Sequence, residues 1–176
     1  IVTVVGEGEP TLAANLGELV VALKALTDKP VAVITNGALL SDPQVREELC
    51  HADMVLPSLD AYNQEISKKI DRPYGTIKFE EEFEGLKKFT HMYEGELWLE
   101  IMLVDGINDD AQSILKFQEL LKRPNTLLIT TGFSFADNHI SQMIIQAILH
   151  NKSLALLISD YNINQENENW IRLQEL

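Results

Sequence analysis

Short runs of apolar residues alternate along this chain with longer segments in which apolar residues recur at helical spacing. Residues 1–5 form an almost continuous β-branched run, and residues 16–26 repeat leucine and valine on one helical face. Pro30 interrupts the helical pattern before a second apolar run over residues 31–34. A strand, a helix and a second strand in this order are typical of a βαβ unit, whose two strands pair in parallel.

The same alternation continues through the rest of the sequence and predicts an α/β fold. Strands separated by helices favour a mainly parallel sheet, built as an incomplete TIM-like barrel or as an open Rossmann-like sheet. The expected strands are residues 2–5, 31–34, 54–56, 97–104, 127–130 and 154–158. The expected helices are residues 16–26, a second from the capping sequence Ser41-Asp42-Pro43 to about His51, 79–93, a fourth capped by Asp109 or Asp110 and reaching Leu121, 138–150, and a short last helix around Trp170.

Polar sequences follow or interrupt four of these apolar runs. They are Gly6-Glu7-Gly8-Glu9-Pro10-Thr11-Leu12, Ile34-Thr35-Asn36-Gly37, Leu56-Pro57-Ser58-Leu59-Asp60-Ala61 and Leu99-Glu100-Ile101-Met102. The carboxyl ends of parallel strands open on one face of a β/α repeat, so polar residues there converge. The pattern therefore predicts a small-molecule site at these strand ends.

These motifs resemble, in the same order, the radical S-adenosylmethionine (radical SAM) family. The resemblance is closest to archaeal and bacterial iron-sulfur oxidoreductases related to the wyosine-tRNA synthesis enzymes. It covers residues 1 to about 120 and also includes Arg72-Pro73, Glu84-Gly85-Leu86 and Met102-Leu103-Val104-Asp105-Gly106-Ile107-Asn108. It implies that Glu9 contacts the amino group of the methionine part of SAM, and that Ser58 and Asp60 contact its ribose.

The resemblance also implies a [4Fe-4S] cluster, which in this family cleaves SAM so that a 5'-deoxyadenosyl radical abstracts hydrogen from a substrate. The family holds the cluster with a Cys-x3-Cys-x2-Cys loop, which would lie upstream of residue 1. Cys50 is the only cysteine of the chain, whereas a cluster needs several thiolates close together. We therefore expect a cluster only if such a motif lies upstream, and we expect Cys50 to be a buried thiol.

Each candidate residue also has a purely structural interpretation. Glu9 suits a helix N-terminus, and Thr35 and Asn36 suit the capping of a turn as well as a contact to a carboxylate or ribose. Asp60 is equally able to cap the helix that follows it. Glu100 lies between apolar neighbours and points either into the mouth of the barrel or to a solvent edge; an inward carboxylate would need a partner.

After Pro124 the sequence changes character. The segment Gly132-Phe133-Ser134-Phe135-Ala136-Asp137-Asn138-His139-Ile140 resembles the C-terminal part of sirtuin-like domains over about residues 121–165. Gly132 and Ser134 would then cradle a nucleotide phosphate at the start of the following helix. Two such segments suggest a chimera, with a radical SAM-like partial barrel over residues 1–122 and a sirtuin-like βαβ segment over 123–176, packed as one continuous domain. A natural but divergent or truncated homologue is the alternative.

Length and charge limit the partners. The 176 residues suffice for one globular domain or two small ones, and the formal net charge of −13 disfavours direct binding to nucleic acid. The apolar runs are too short for a transmembrane helix and no basic signal flank begins the chain, which favours the cytoplasm and no membrane partner. The open edges of an incomplete barrel favour a homodimer that covers them.

Two functions follow from these observations. The preferred interpretation is a non-catalytic chimera or remnant of a radical SAM protein with at most weak, residual affinity for SAM or another adenosine-containing ligand. The alternative is part of a radical SAM iron-sulfur oxidoreductase whose cluster-binding loop lies upstream of residue 1. Neither interpretation assigns a catalytic residue or a metal ligand within the chain.

Overall fold

Strands and helices alternate along the protein, as a computed structural model shows. The structure describes residues 1–6, 8–102, 104, 106–108, 115, 121–122, 124, 126–131, 135, 137–159 and 164–176. The strands are β1 (Val2–Val4), β2 (Val31–Thr35), β3 (Met54–Pro57), β4 (Glu96–Ile101), β5 (Thr126–Thr131) and β6 (Ala155–Ser159). The helices are α1 (Leu16–Leu26), α2 (Pro43–Leu49), α3 (Gln64–Ile70), α4 (Phe79–Met92), α5 (Asn138–His150) and α6 (Glu168–Gln174), and a 3-10 turn covers Pro10–Leu12.

The described strands form a six-stranded sheet in the sequential order β1-β2-β3-β4-β5-β6. The strand pairs whose register is defined are all parallel. The predicted α/β fold with a parallel sheet is therefore confirmed.

The helix expected from Asp109 or Asp110 to Leu121 lies almost entirely outside the described residues. No helix in the described part of the chain is both long and apolar enough to cross a membrane.

The chain divides into two compact units. Unit 1 comprises Ile1–Leu59 and Arg72–Leu99, and unit 2 comprises Asp60–Asp71 and Glu100–Leu176. Both units are discontinuous in sequence, because residues 60–71 belong to unit 2 while the residues on either side belong to unit 1. The expected boundary at residue 122 stays a prediction.

One face of β2 and β3 and the start of β4 is fully buried, whereas β1 at the edge is not. Parallel pairing aligns Val33 with Val55, and Val55 with Leu97, and each of the three is at most 4% exposed. The opposite face is more open, because Ile34 and Leu56, which also pair, are only half-buried. Burial on one face fixes the register of each strand, since a slip of one residue would turn these side chains to the other face.

Local hydrogen bonds explain where the helices begin and end. Asp42 caps α2 as predicted, because its carboxylate accepts a hydrogen bond from the backbone N–H of Gln44 at 2.9 Å. The helix ends at Leu49, before His51, since the N–H groups of His51 and Ala52 bond to carbonyls only three residues back. Asn63 caps α3 through the N–H groups of Glu65 and Ile66, so the interpretation of Asp60 as the helix cap is wrong.

The predicted strand over residues 97–104 is shorter in the structure. β4 ends at Ile101 because side chains, not a neighbouring strand, accept hydrogen bonds from the next backbone donors. The Met102 N–H donates to Asp60 Oδ1 at 2.6 Å, and the Val104 N–H donates to Asn108 Oδ1 at 2.6 Å. Each such bond removes a donor that a strand ladder would use.

In unit 2, β5 and β6 pair in register from Leu127 with Ala155 to Thr131 with Ser159. Asp137 caps α5 by accepting a hydrogen bond from the Ile140 N–H at 2.9 Å. The buried amide of Asn169 at the start of α6 donates to the Asn138 side chain at 2.7 Å and to the Phe135 carbonyl at 3.2 Å. The α6 helix is therefore tied to the start of α5 by a buried side-chain network.

A close backbone approach fixes α4 in unit 1. Gly85 faces the Leu40–Ser41 backbone so closely that a Cβ atom there would overlap the Leu40 carbonyl and lie 2.5 Å from the Ser41 nitrogen. The other side of this backbone is held by Arg46, whose Nη1 donates to the Leu40 carbonyl at 2.5 Å and to the Ser41 carbonyl at 2.9 Å. The position therefore tolerates no side chain.

Replacement of Gly85 by alanine should destabilise the protein. We expect a loss of about 2 to 3 kcal/mol in the free energy of unfolding, despite the ~1 kcal/mol that alanine contributes to helix propensity, because backbone atoms have to move. Chemical denaturation measures the change. Gly75→Ala is the control, since no atom lies within 4 Å of a Cβ at that position; equal stability of the two variants would contradict the prediction.

Candidate functional site

The Glu9 carboxylate joins two strand-end turns of unit 1. Its Oε1 accepts hydrogen bonds from the Thr11 N–H at 3.1 Å, the Thr11 hydroxyl at 2.8 Å and the Thr35 hydroxyl at 2.5 Å. Its Oε2 accepts a hydrogen bond from the Asn36 N–H at 2.7 Å. Glu9 therefore caps the 3-10 turn after β1, as its structural interpretation expected, and ties that turn to the end of β2. Its contact with the amino group of SAM stays a prediction.

Thr35 and Asn36 also shape the turn that follows β2. The Thr35 hydroxyl oxygen accepts a hydrogen bond from the Gly37 N–H at 3.1 Å, and Asn36 Oδ1 accepts one from the Ala38 N–H at 2.9 Å. Gly37 has a φ of +78°, which favours glycine. Thr35 is buried and fully engaged, whereas Asn36 is exposed and its Nδ2 donates to none of the described residues. Of the two, Asn36 is the one able to contact a ligand.

Ser58, after β3, lies directly beside this turn. Its N–H donates to the Thr35 carbonyl at 3.0 Å, and a Cβ on Gly37 would come within 3.2 Å of the Ser58 carbonyl. Ser58 is half-buried, and its hydroxyl bonds to none of the described residues. The predicted convergence of strand ends thus holds within unit 1, where Glu9, Asn36 and Ser58 are brought together.

The chemistry of this unit 1 cluster suits a small polar ligand. An amide and a hydroxyl are available as donors or acceptors, and the adjoining carboxylate is already saturated by four internal donors. Space is also present, because no atom lies within 4 Å of a Cβ built on Gly8. Such groups match the hydroxyl, carboxylate and ammonium groups of a nucleoside or an amino acid.

Asp60 and Glu100 both belong to unit 2: Asp60 begins the 60–71 segment, and Glu100 lies near the end of β4. Asp60 Oδ1 accepts the hydrogen bond from the Met102 N–H, while no described residue donates to its Oδ2. Burial raises the pKa of the Asp60 carboxyl; the Met102 N–H opposes this, and the negative charge of Glu100 adds to it. Glu100 is exposed, so it needs no buried partner.

Asp71 is a titrating residue that the sequence patterns did not indicate. It lies at the C-terminal cap of α3, and burial of its carboxyl, with the nearby charge of Asp60, raises its pKa to about 6. A hydrogen bond with Ser67 partly opposes this shift. Asp71 follows no apolar strand, so no strand-end pattern points to it. It directly follows α3, a helix whose bounds the sequence patterns did not predict, and its proximity to Asp60 is visible only in three dimensions.

Gly132 and Ser134 lie outside the described residues, so their expected role in phosphate binding stays a prediction.

Cys50 follows α2 and is half-buried, not fully buried as expected, because it lies at the end of that helix. Burial raises the pKa of its thiol, and Glu47 and Glu94 raise it further. In the described ranges, histidine, cysteine, aspartate and glutamate residues form no group that could hold a metal ion. The donors of this chain do not fit a [4Fe-4S] cluster.

Replacement of Asp71 by asparagine should stabilise the protein at alkaline pH. The folded-state pKa of about 6 lies above the unfolded value of 3.8, so folding favours the protonated carboxyl of Asp71. Its contribution to stability is therefore complete below the unfolded pKa and is lost as pH rises through the folded pKa. Because Asp71 is partly solvated, we expect a gain of about 1 kcal/mol at about pH 8 and almost none near pH 4. Denaturation at both pH values measures this.

Asp28→Asn in an exposed loop of unit 1 is the matched control for this change. It removes the same charge without removing a carboxyl from a partly buried position. A gain for Asp71→Asn that is the same at both pH values, or that Asp28→Asn reproduces, would contradict the assigned pKa.

Curated relatives match most of this chain. A GTPase Obg of Brachyspira hyodysenteriae is 41% identical over 132 residues, which cover 73% of the chain and 19% of that protein. A UPF0026 protein of Synechocystis sp. is 38% identical over 121 residues, which cover 69% of the chain and 45% of that protein. The chain thus spans less than half the length of these relatives.

A solved structure supports the fold beyond the expected junction. A domain of the pyruvate-formate lyase-activating enzyme from Bacteroides vulgatus superposes with a TM-score of 0.63 at 18% identity. The match covers 90% of this chain and 98% of that domain, so it extends across residues 121–125. One known fold therefore accounts for both sides of the supposed join, and the sirtuin-like and chimeric interpretations are not supported.

The radical SAM resemblance itself is confirmed at the level of the family. The sequence model of the radical SAM superfamily matches residues 2–118. This range contains β1 to β4 and the strand-end turns of Glu9, Asn36, Ser58 and Asp60. The chain belongs to the radical SAM superfamily.

Proposed function

We propose that these 176 residues bind SAM or a simpler adenosine compound weakly and do not by themselves catalyse a reaction. Membership of the superfamily supports SAM as the ligand. The observation that carries the proposal is the Glu9 carboxylate, which fixes the turns after β1 and β2, so that Asn36 and Ser58, both with unused polar groups, belong to turns joined by a backbone hydrogen bond.

Each candidate residue has a distinct part in this proposal. Glu9 acts mainly by holding the two turns, because its oxygens already accept four hydrogen bonds. Asn36 and Ser58 supply an amide and a hydroxyl for the amino-acid part or the ribose. Independently of this cluster, Asp60 in unit 2 has an Oδ2 to which no described residue donates, and the family resemblance implies that it accepts a hydrogen bond from a ribose hydroxyl. An ionised carboxylate is a strong acceptor for such a hydroxyl.

Without a cluster to chelate the methionine end, binding should be weak. We expect a Kd from high micromolar to millimolar, equivalent to about 4 to 6 kcal/mol, in a calorimetric titration with SAM. Asp60→Ala should abolish detectable binding if the ribose contact exists. Glu9→Gln should also weaken binding, because an amide nitrogen placed at either oxygen position would face a donor.

Glu65→Gln is the control for these titrations, since it neutralises an exposed carboxylate that, among the described residues, pairs with Lys69 in α3. It should bind SAM as the unaltered protein does. Absence of SAM and adenosine binding by the unaltered chain would overturn the proposal, and unchanged binding by Asp60→Ala would remove Asp60 from the site.

A second candidate is supported by the lengths of the relatives. These 176 residues would then be the SAM-binding part of a radical SAM iron-sulfur oxidoreductase whose cysteine loop is encoded upstream. The relatives are more than twice as long as the stretch that they share with this chain, which leaves room for such a loop. The discriminating observation is a Cys-x3-Cys-x2-Cys sequence immediately upstream in the gene.

Anaerobic reconstitution of the 176-residue chain with iron and sulfide tests a point that both candidates share, namely that these residues alone do not hold a cluster. We expect no stoichiometric visible charge-transfer absorbance, because one thiolate cannot hold a [4Fe-4S] cluster. Cys50→Ser should give the same spectrum as the unaltered chain. A stoichiometric cluster in the monomer would show that ligands other than several cysteines suffice.

A further inference from the structure

Asn108 is a buried side chain that no strand-end pattern assigned to the site. It is fully buried, and all of its principal hydrogen-bonding capacity is used. Its Oδ1 accepts from the Val104 N–H at 2.6 Å, and its Nδ2 donates to the Asp60 carbonyl at 2.7 Å and to the Met102 carbonyl at 2.7 Å. The amide therefore bridges the segment after β3 and the segment after β4, both within unit 2.

The same two segments are joined a second time by the Asp60 carboxylate. Asp60 Oδ1 accepts a hydrogen bond from the Met102 N–H at 2.6 Å. The Asn108 amide thus binds the backbone carbonyls of Asp60 and Met102, the same two residues that this hydrogen bond joins. If the amide were lost, Asp60 and Met102 would be free to separate, and the carboxylate would lose its one described donor.

We propose that Asn108 is a positioning residue for Asp60: it keeps Oδ1 on the Met102 N–H and leaves Oδ2 as the oxygen that meets a ligand hydroxyl. The ligand part of this inference rests on the proposed function, whereas the positioning of the carboxylate does not. Within the part of the chain that the structure describes, the Asn108 side chain forms hydrogen bonds to backbone groups only.

The electrostatic surroundings of Asp60 give this role a measurable signature. The Met102 N–H lowers the pKa of the carboxyl, whereas burial and the negative charge of Glu100 on β4 raise it, and Asp71 at the end of α3 interacts with it as a second acid. Loss of the Met102 hydrogen bond would leave only influences that favour the protonated form. The pKa of Asp60 should then rise.

Asn108→Ser tests the proposal, because serine is too short to reach both carbonyls. The carboxyl carbon resonance of Asp60, followed by NMR as a function of pH, should titrate with a midpoint higher by roughly half a pH unit or more than in the unaltered protein. SAM or adenosine should bind about tenfold more weakly at neutral pH, since a hydrogen bond to a charged group contributes roughly 1.5 kcal/mol or more.

Asn169→Ser is the matched control. Asn169 is also a buried amide in unit 2 with three hydrogen bonds, to Phe135, Asn138 and Gln142. Its loss should lower stability to a similar extent but leave the Asp60 midpoint unchanged. An equal shift in the two variants, or no shift in Asn108→Ser, would reduce Asn108 to a structural residue and overturn the proposal.

A measurement on the unaltered protein decides the matter if Asn108→Ser does not fold. The Met102 amide proton should change its chemical shift with the same midpoint as the Asp60 carboxyl carbon, because the two groups share a hydrogen bond. A Met102 amide that does not follow Asp60 would contradict the inference. Failure of SAM to bind would overturn the proposed function and leave the NMR result standing.

Discussion

Parallel strand pairing is the constraint on which the candidate site depends. Each parallel pair needs a crossover that returns the chain to the starting edge, so successive strands end on the same side. In unit 1, β1, β2 and β3 follow this rule: the Glu9 carboxylate joins the turns after β1 and β2, and the Ser58 N–H, which donates to the Thr35 carbonyl, brings the end of β3 beside them. Without a common direction of the strands, residues 9, 36 and 58 would be distributed over both edges of the sheet.

The carboxylates of the chain differ in how well their charge is satisfied. Glu9 has four donors, which is why it serves as a junction between turns. Asp60 has a single described donor, and Asp71 lies near it with a pKa of about 6. A saturated carboxylate stabilises backbone geometry, whereas a poorly satisfied one keeps an oxygen available for a ligand or a proton. Among the motif residues, Glu9 therefore stabilises the turns, whereas Asp60 keeps one oxygen to which no described residue donates.

Much of the fold was predictable because hydrophobic periodicity reports it directly. The six strands and the bounds of α1 and α5 agree with the sequence patterns to within a few residues, since apolar spacing is set by burial. The end of β4 was not predicted, because it depends on the side chains of Asp60 and Asn108, and the bounds of the helix α3, which Asn63 caps, were not predicted either. The Asp60–Met102 hydrogen bond joins residues that are distant in sequence, and the Asn108–Val104 hydrogen bond takes up a backbone donor that a longer β4 would use.

The candidate site was predictable only in part for the same reason. Glu9, Asn36 and Ser58 follow strands, and the sequence placed them together correctly. The sequence could not distinguish which of them retain unused polar groups, since that depends on donors such as Thr11 and Thr35 folding onto one oxygen. Asn108 carries no strand-end signature, and its role becomes visible only through its hydrogen bonds to Val104 and Met102 nearby and to the distant Asp60 carbonyl.

The backbone of Leu40 and Ser41, held between Arg46 and Gly85, has a consequence for how this sequence can diverge. Arg46 is buried, and none of the described residues forms an ion pair with it, so carbonyl oxygens provide its main stabilisation. A change at position 46 that shifts these carbonyls would alter the space available at position 85, and the reverse also holds. The two positions should therefore accept substitutions jointly and not independently, with non-additive effects on stability. In an alignment of homologues, they should covary although 39 residues separate them in the chain.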